Sequence, residues 1–126
     1  MSITELAERV RAALQEDDLD AYQDLLAPGV HWGPPGQPEW GCHSRQEVLA
    51  WYKAARDDGM RARVDEVVAG TDCVLVGLTV SGKPAPDEGG APASRWQVLA
   101  VNDGLIVDIC GFDDRDQAAA RAGISR

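Results

Sequence analysis

The most constraining stretch of this chain is Arg95 to Asp114, RWQVLAVNDGLIVDICGFDD. Asn102-Asp103-Gly104 marks a tight turn, because Gly takes a positive φ without a steric cost and Asp tolerates one. Apolar residues flank it on both sides, so the stretch predicts two strands of a hairpin. With Asp103-Gly104 as a two-residue loop, Asn102 pairs with Leu105, Ala100 with Val107, Val98 with Ile109 and Trp96 with Gly111. Side chains alternate across a strand, so Trp96, Val98, Ala100, Val107 and Ile109 share one apolar face. The other face carries Arg95, Gln97, Leu99, Val101, Ile106, Asp108, Cys110 and Phe112. Such a mixed face is expected to meet water or another subunit. A three-residue loop with a bulge would set Asp108 opposite Val98; the unbroken apolar face favours the first register.

The 126 residues are expected to form one domain, 1–126, large enough to bury a core. A net charge of −9 argues against nucleic acid and against an anionic membrane surface. No apolar run approaches a membrane span. MSITELAERV carries acidic residues where a signal peptide would be basic and then apolar. Cys42, Cys73 and Cys110 are odd in number and lack metal spacing, so they read as reduced thiols in a cytoplasm. No metal or cofactor motif is present: two His and no close carboxylate pair make no metal site, and Gly89-Gly90 sits among prolines and acids.

Ser2 and Glu5 form a capping box, and Ile3, Leu6, Val10 and Leu14 follow at helical spacing, predicting a helix over 3 to about 15. A second helix is expected from about Leu19 to Ala27, ended by Pro28-Gly29. Val30-His31-Trp32 is a short strand with Val30 and Trp32 on one face and His31 on the other. Pro34, Pro35 and Pro38 then forbid a continuing ladder, and Trp40 sits in that loop. Ser44 and Glu47 cap a third helix with Val48, Trp51, Tyr52 and Ala55 inward, ending near Asp58-Gly59. Strands follow at 61–69 and 73–81, then a Gly- and Pro-rich surface loop from Gly82 to Ser94. A short last helix covers Gln117 to Arg121. This order predicts an α+β fold with helices on a curved antiparallel sheet.

The order also resembles the SnoaL-like branch of the nuclear transport factor 2-like superfamily. The residues that carry the likeness are LLAPGVHW, GCHSRQEVLAWY and VNDGLIVDICGFDDRDQAAARAG. The resemblance implies a cone-shaped barrel: a curved sheet around a cavity, three N-terminal helices over it and a short C-terminal helix. It also implies a homodimer through the convex sheet face, with Leu99, Val101, Ile106 and Phe112 supplying contact. Polyketide cyclases, isomerases, dehydratases and non-catalytic binders share this fold, so fold alone does not decide activity.

Two family roles fall on residues that cannot fill them. The position of the isomerase-like general base falls on Pro34, and that of the epoxide hydrolase-like carboxylate falls on Gly111. Among the remaining polar groups, His31 and Tyr22 could act as base and acid. The bland alternative for His31 is a satisfied strand residue. His43 reads as an exposed position before a helix cap, Asp108 as a surface carboxylate, and Cys42 and Cys110 as small hydrophobes. Trp32, Trp40, Trp51 and Trp96, with Ile109, are expected to line a pocket for a small hydrophobic molecule. Two readings oppose that one: a cyclase, isomerase or dehydratase using His31 and Tyr22, and an interaction dimer whose cone the tryptophans fill.

Overall fold

The computed structural model describes residues 2–33, 39, 41–81 and 93–124. Its elements run α1 (Ile3–Gln15), α2 (Leu19–Gln23), β1 (Leu26–Gly33), α3 (Arg45–Asp57), β2 (Arg61–Ala69), β3 (Cys73–Ser81), β4 (Ala93–Asn102), β5 (Leu105–Phe112) and α4 (Arg115–Ala122). Polar side chains start the helices by accepting from otherwise unpaired N–H groups. Ser2 Oγ accepts from Glu5 N, Asp18 Oδ1 from Ala21 N and Ser44 Oγ from Glu47 N, each at 3.1 Å.

The strand order is β1-β5-β4-β3-β2. β1 runs parallel to β5 and the other pairs are antiparallel. The α+β class, the three helices on one side and the short last helix are as expected. The sheet is mixed rather than wholly antiparallel, and its edges, β1 and β2, do not join. The second helix is shorter than its apolar spacing suggested, because β1 begins at Leu26, and Leu25, in the turn before it, already bonds to β5. Ile106 N donates to Leu25 O at 2.8 Å, and Leu26 pairs with Ile106. Pro28 lies inside β1. An edge strand tolerates it, and the register breaks between Leu26 and His31, where Pro28-Gly29 sit.

Two apolar clusters flank the sheet. Leu6 and Val10 of α1, Tyr22 and Val48 pack with Val74, Val76, Leu99, Ile106 and Ile109. On the opposite face, Ala118, Ala119 and Ala122 of α4 cover Cys73, Leu75 and Val98. Among the described residues, no helix is long and apolar enough to cross a membrane.

The hairpin turn is as predicted. Asp103 and Gly104 both have positive φ, 54° and 78°, and Asn102 pairs with Leu105. Beyond the turn the register differs. Val101 pairs with Ile106, but Ala100 pairs with Asp108, so Val107 is an extra residue in β5. Leu99 therefore faces Ile109, Val98 faces Cys110 and Gln97 faces Gly111. This bulge reverses the expected faces of β4. Arg95, Gln97, Leu99 and Val101 look toward α1–α3, while Trp96 and Val98 look toward α4. Leu99 and Ile106 are fully buried in the first cluster, so they offer no subunit contact.

Candidate functional site

A cavity of about 610 Å³ lies between the inner sheet face and the helices. Its deep wall is aromatic. Tyr22 and Tyr52 meet edge to face at 5.6 Å between ring centroids. Tyr52 stacks on Trp32 at 5.0 Å, and Trp32 meets Trp51 edge-on at 4.8 Å. The rings thus form a continuous run from the core to the mouth, where Trp51 is 44% exposed.

Local sequence explains how these rings are held. Alternation along β1 sends Trp32 inward beside Ile109, its register partner. Trp32 is anchored from behind by a two-way bridge to Cys42, with N–H···O distances of 2.9 and 2.8 Å. Gly41 makes that approach possible: its φ is 89°, and a Cβ there would fall 1.9 Å from Trp32 O. Ser44 and Glu47 start α3, with His43 N donating to Glu47 Oε1 at 2.6 Å. That start places Trp51 and Tyr52 against Trp32 seven and eight residues later.

The floor contains polar atoms with no hydrogen-bond partner. Tyr22 Oη, Tyr52 Oη and Gln97 Oε1 are all buried without a close hydrogen-bond partner; Tyr52 and Gln97 border the cavity, and Tyr22 lies in the core behind them. Gln97, 7% exposed, is the one buried polar residue besides Tyr22 among those described. Burial pushes both phenols above their ordinary range, so both are neutral hydroxyls at pH 7. The neighbouring Gln97 and Tyr22 side chains partly offset that shift at Tyr52. Orphaned buried polar atoms beside a cavity are the arrangement that a polar atom of a ligand can complete.

Gly111 borders the cavity with nothing within 4 Å of where a Cβ would stand. The wall position that the resemblance gave to a carboxylate is therefore open space. A shallower cleft of about 330 Å³ adjoins, bordered by Trp32, Trp51, Gly111 and Cys42. The mouth is charged: Arg56 meets Asp17 at 3.1 Å, and Arg95 meets Asp113 at 3.4 Å.

The structure separates the residues that the sequence singled out. Trp32 and Trp51 border the cavity. Trp40 and Pro34 lie outside the described residues. Trp96 borders one end, but its indole points to the other face, with Nε1 about 3.1 Å from the Cβ position of Gly77. Ile109 faces inward yet is fully buried in the core below the cavity.

His31 and Tyr22 do not meet. Tyr22 is in the inner core, while His31 Nδ1–H donates to Asp108 Oδ1 at 2.8 Å on the outer face of β1 and β5. His43 lies beside it, with ring centroids 5.1 Å apart. No group of three His, Cys, Asp or Glu among the described residues is arranged to hold a metal. Burial raises the Cys110 thiol above its ordinary range, which disfavours the reactive thiolate. Arg95, Gln97 and Tyr52 went unassigned to the site from sequence. The Ala-rich tail was the available signal: Ala118, Ala119 and Ala122 need an apolar sheet face to cover, and only the Trp96–Val98 face supplies it.

The family model described as a SnoaL-like domain matches residues 7–109. No curated protein matches the chain in sequence. Among solved structures, a protein assigned as a polyketide cyclase from Pseudomonas putida KT2440 is similar, with TM-score 0.70 and 20% identity over 97% of this chain and 98% of that one. A protein assigned as a ketosteroid isomerase from Kribbella flavida DSM 17836 has TM-score 0.70 and 18% identity over 87% of this chain and 76% of that one. TerC, co-crystallised with polyporic acid, has TM-score 0.64 and 18% identity over 91% and 93%. At these identities the likeness shows the fold alone, whereas the family match spans most of the sequence: the chain belongs to the SnoaL-like domain family.

Proposed function

We propose that the chain binds a small, largely apolar aromatic molecule between Trp32, Trp51 and Tyr52. The observation that carries this reading is Trp51. It is the one large hydrophobic residue left exposed among those described, and it stands at the mouth of the cavity. Tryptophans that merely filled the interior would bury it, and an empty volume of about 610 Å³ is of ligand size. The crystal structure of TerC with polyporic acid supports such a use of this fold.

Calorimetric titration of flat aromatic compounds tests it. Trp51→Ala should weaken binding about tenfold or more while leaving stability nearly unchanged, since its ring is half in water. Equal affinity of both proteins would refute the reading.

A second reading, turnover of a bound carbonyl compound, draws on Tyr52 and Gln97. A neutral buried hydroxyl can donate to a carbonyl oxygen on which negative charge develops. His31 has no part in it, because its ring is on the far side of the sheet. Pairing of two copies through the outer sheet face belongs to the same proposal. α4 covers β3 and β4 there and leaves the β1–β5 side, with His31 and Asp108, partly open.

A further inference from the structure

Glycine inside a strand weakens it. It is found there where the backbone needs a positive φ or a bulge, where another segment packs too close for a Cβ, or where a ligand lies against the backbone. Positive φ accounts for Gly41 and Gly104, at 89° and 78°. Close packing accounts for Gly77 in β3, where a Cβ would fall 2.9 Å from Glu66 Cγ and 3.1 Å from Trp96 Nε1. Gly29 is exposed at the break in the β1 register and does not border the cavity. Gly111 fits none of these cases. Its φ is not positive, its pairing with Gln97 is regular, and nothing among the described residues lies within 4 Å of its Cβ position.

That open position faces the cavity. Gly111 stands two residues beyond Ile109 and opposite Gln97, on the inward face of the sheet. Trp32, Trp51 and Gly111 border both the cavity and the shallower cleft beside it. Of these three, only Gly111 puts no side chain between the two spaces. A flat ring can therefore extend past the stacked Trp32 and Tyr52 and lie across the β5 backbone.

We infer that Gly111 is the specificity-determining residue of the cavity: it admits a flat ring system broad enough to cross the β5 backbone into the adjoining cleft. This rests on the ligand-binding reading above and adds the residue that sets the breadth of the ligand.

Equilibrium dialysis of the full chain with two neutral probes, 2-naphthalenemethanol and 1-pyrenemethanol, tests it. The wild-type chain should hold the four-ring probe about tenfold or more tighter than the two-ring one, because the added rings bury more apolar area. Gly111→Val should weaken the four-ring probe about tenfold and the two-ring probe by no more than about twofold. Gly111→Ala, which adds only the Cβ, should move affinities the same way by about threefold and should not lower the melting midpoint. A lower midpoint for Gly111→Ala would make the glycine a structural requirement and overturn the inference. So would a wild-type chain that holds both probes equally or favours the smaller, or a Gly111→Val that weakens both alike or neither. Each of those results leaves ligand binding standing. If the wild-type chain binds neither probe, the ligand-binding reading fails and takes this inference with it.

Discussion

The two faces of β4 do opposite work. Toward α4, Trp96 and Val98 pack under three alanines in an ordinary apolar layer. Toward α1–α3, the same strand presents Arg95, Gln97 and Leu99 in sequence, which become mouth, floor and core. The face that looks better suited to an interior is the structural one, and the mixed face encloses the cavity. A site must hold polar groups inside, so the face of a strand that serves it reads as surface.

The contrast can be broken by truncating either face. Leu99→Ala removes a fully buried side chain from the main core and should cost about 2–5 kcal/mol, read by urea unfolding. Val98→Ala, under α4, should cost about 1–2 kcal/mol, from two methylene equivalents, and leave ligand affinity unchanged. The reverse order of costs would mean that α4, not α1–α3, covers the main core.

A smaller effect comes from the ion pair on the α4 side. Arg115 Nε meets Glu66 Oε1 at 2.6 Å and holds its carboxyl below the ordinary value of 4.5. The folded pKa lies below the unfolded one. The pair therefore adds stability at neutral pH and loses it as pH falls through 4.5 and on through the folded value. Glu66→Gln should lower the melting midpoint slightly at pH 7, and progressively less as the pH falls below 4.5. Ligand affinity at pH 7 should stay the same, because the pair lies across the sheet from the cavity.

Much of the fold was legible in local patterns. Capping boxes at Ser2 and Ser44 located α1 and α3, and the strands expected at 61–69 and 73–81 are β2 and β3. Tertiary pairing was not legible. Leu25 and Leu26 fit a helix by spacing, and only their contact with Ile106 on β5 ends the helix and starts β1 at Leu26. The extra residue at Val107 leaves no mark in an alternating run, because Ile106, Val107 and Ile109 are interchangeable by hydrophobicity. That single residue moved Gln97 from an expected outer surface to the cavity floor. The aromatic wall was partly legible, since Trp32 and Trp51 border the cavity while Trp96 turns away.

Gln97 offers the most direct test of the claim that the mixed face of β4 is the binding face. Gln97→Met keeps the length of the side chain and removes a buried acceptor that has no partner. Urea unfolding and titration with a flat hydroxylated aromatic compound should be done on the same preparation. The account predicts stability unchanged or raised by up to about 1 kcal/mol, with affinity about tenfold weaker. A clear loss of stability with affinity intact would make Gln97 a structural residue and contradict it.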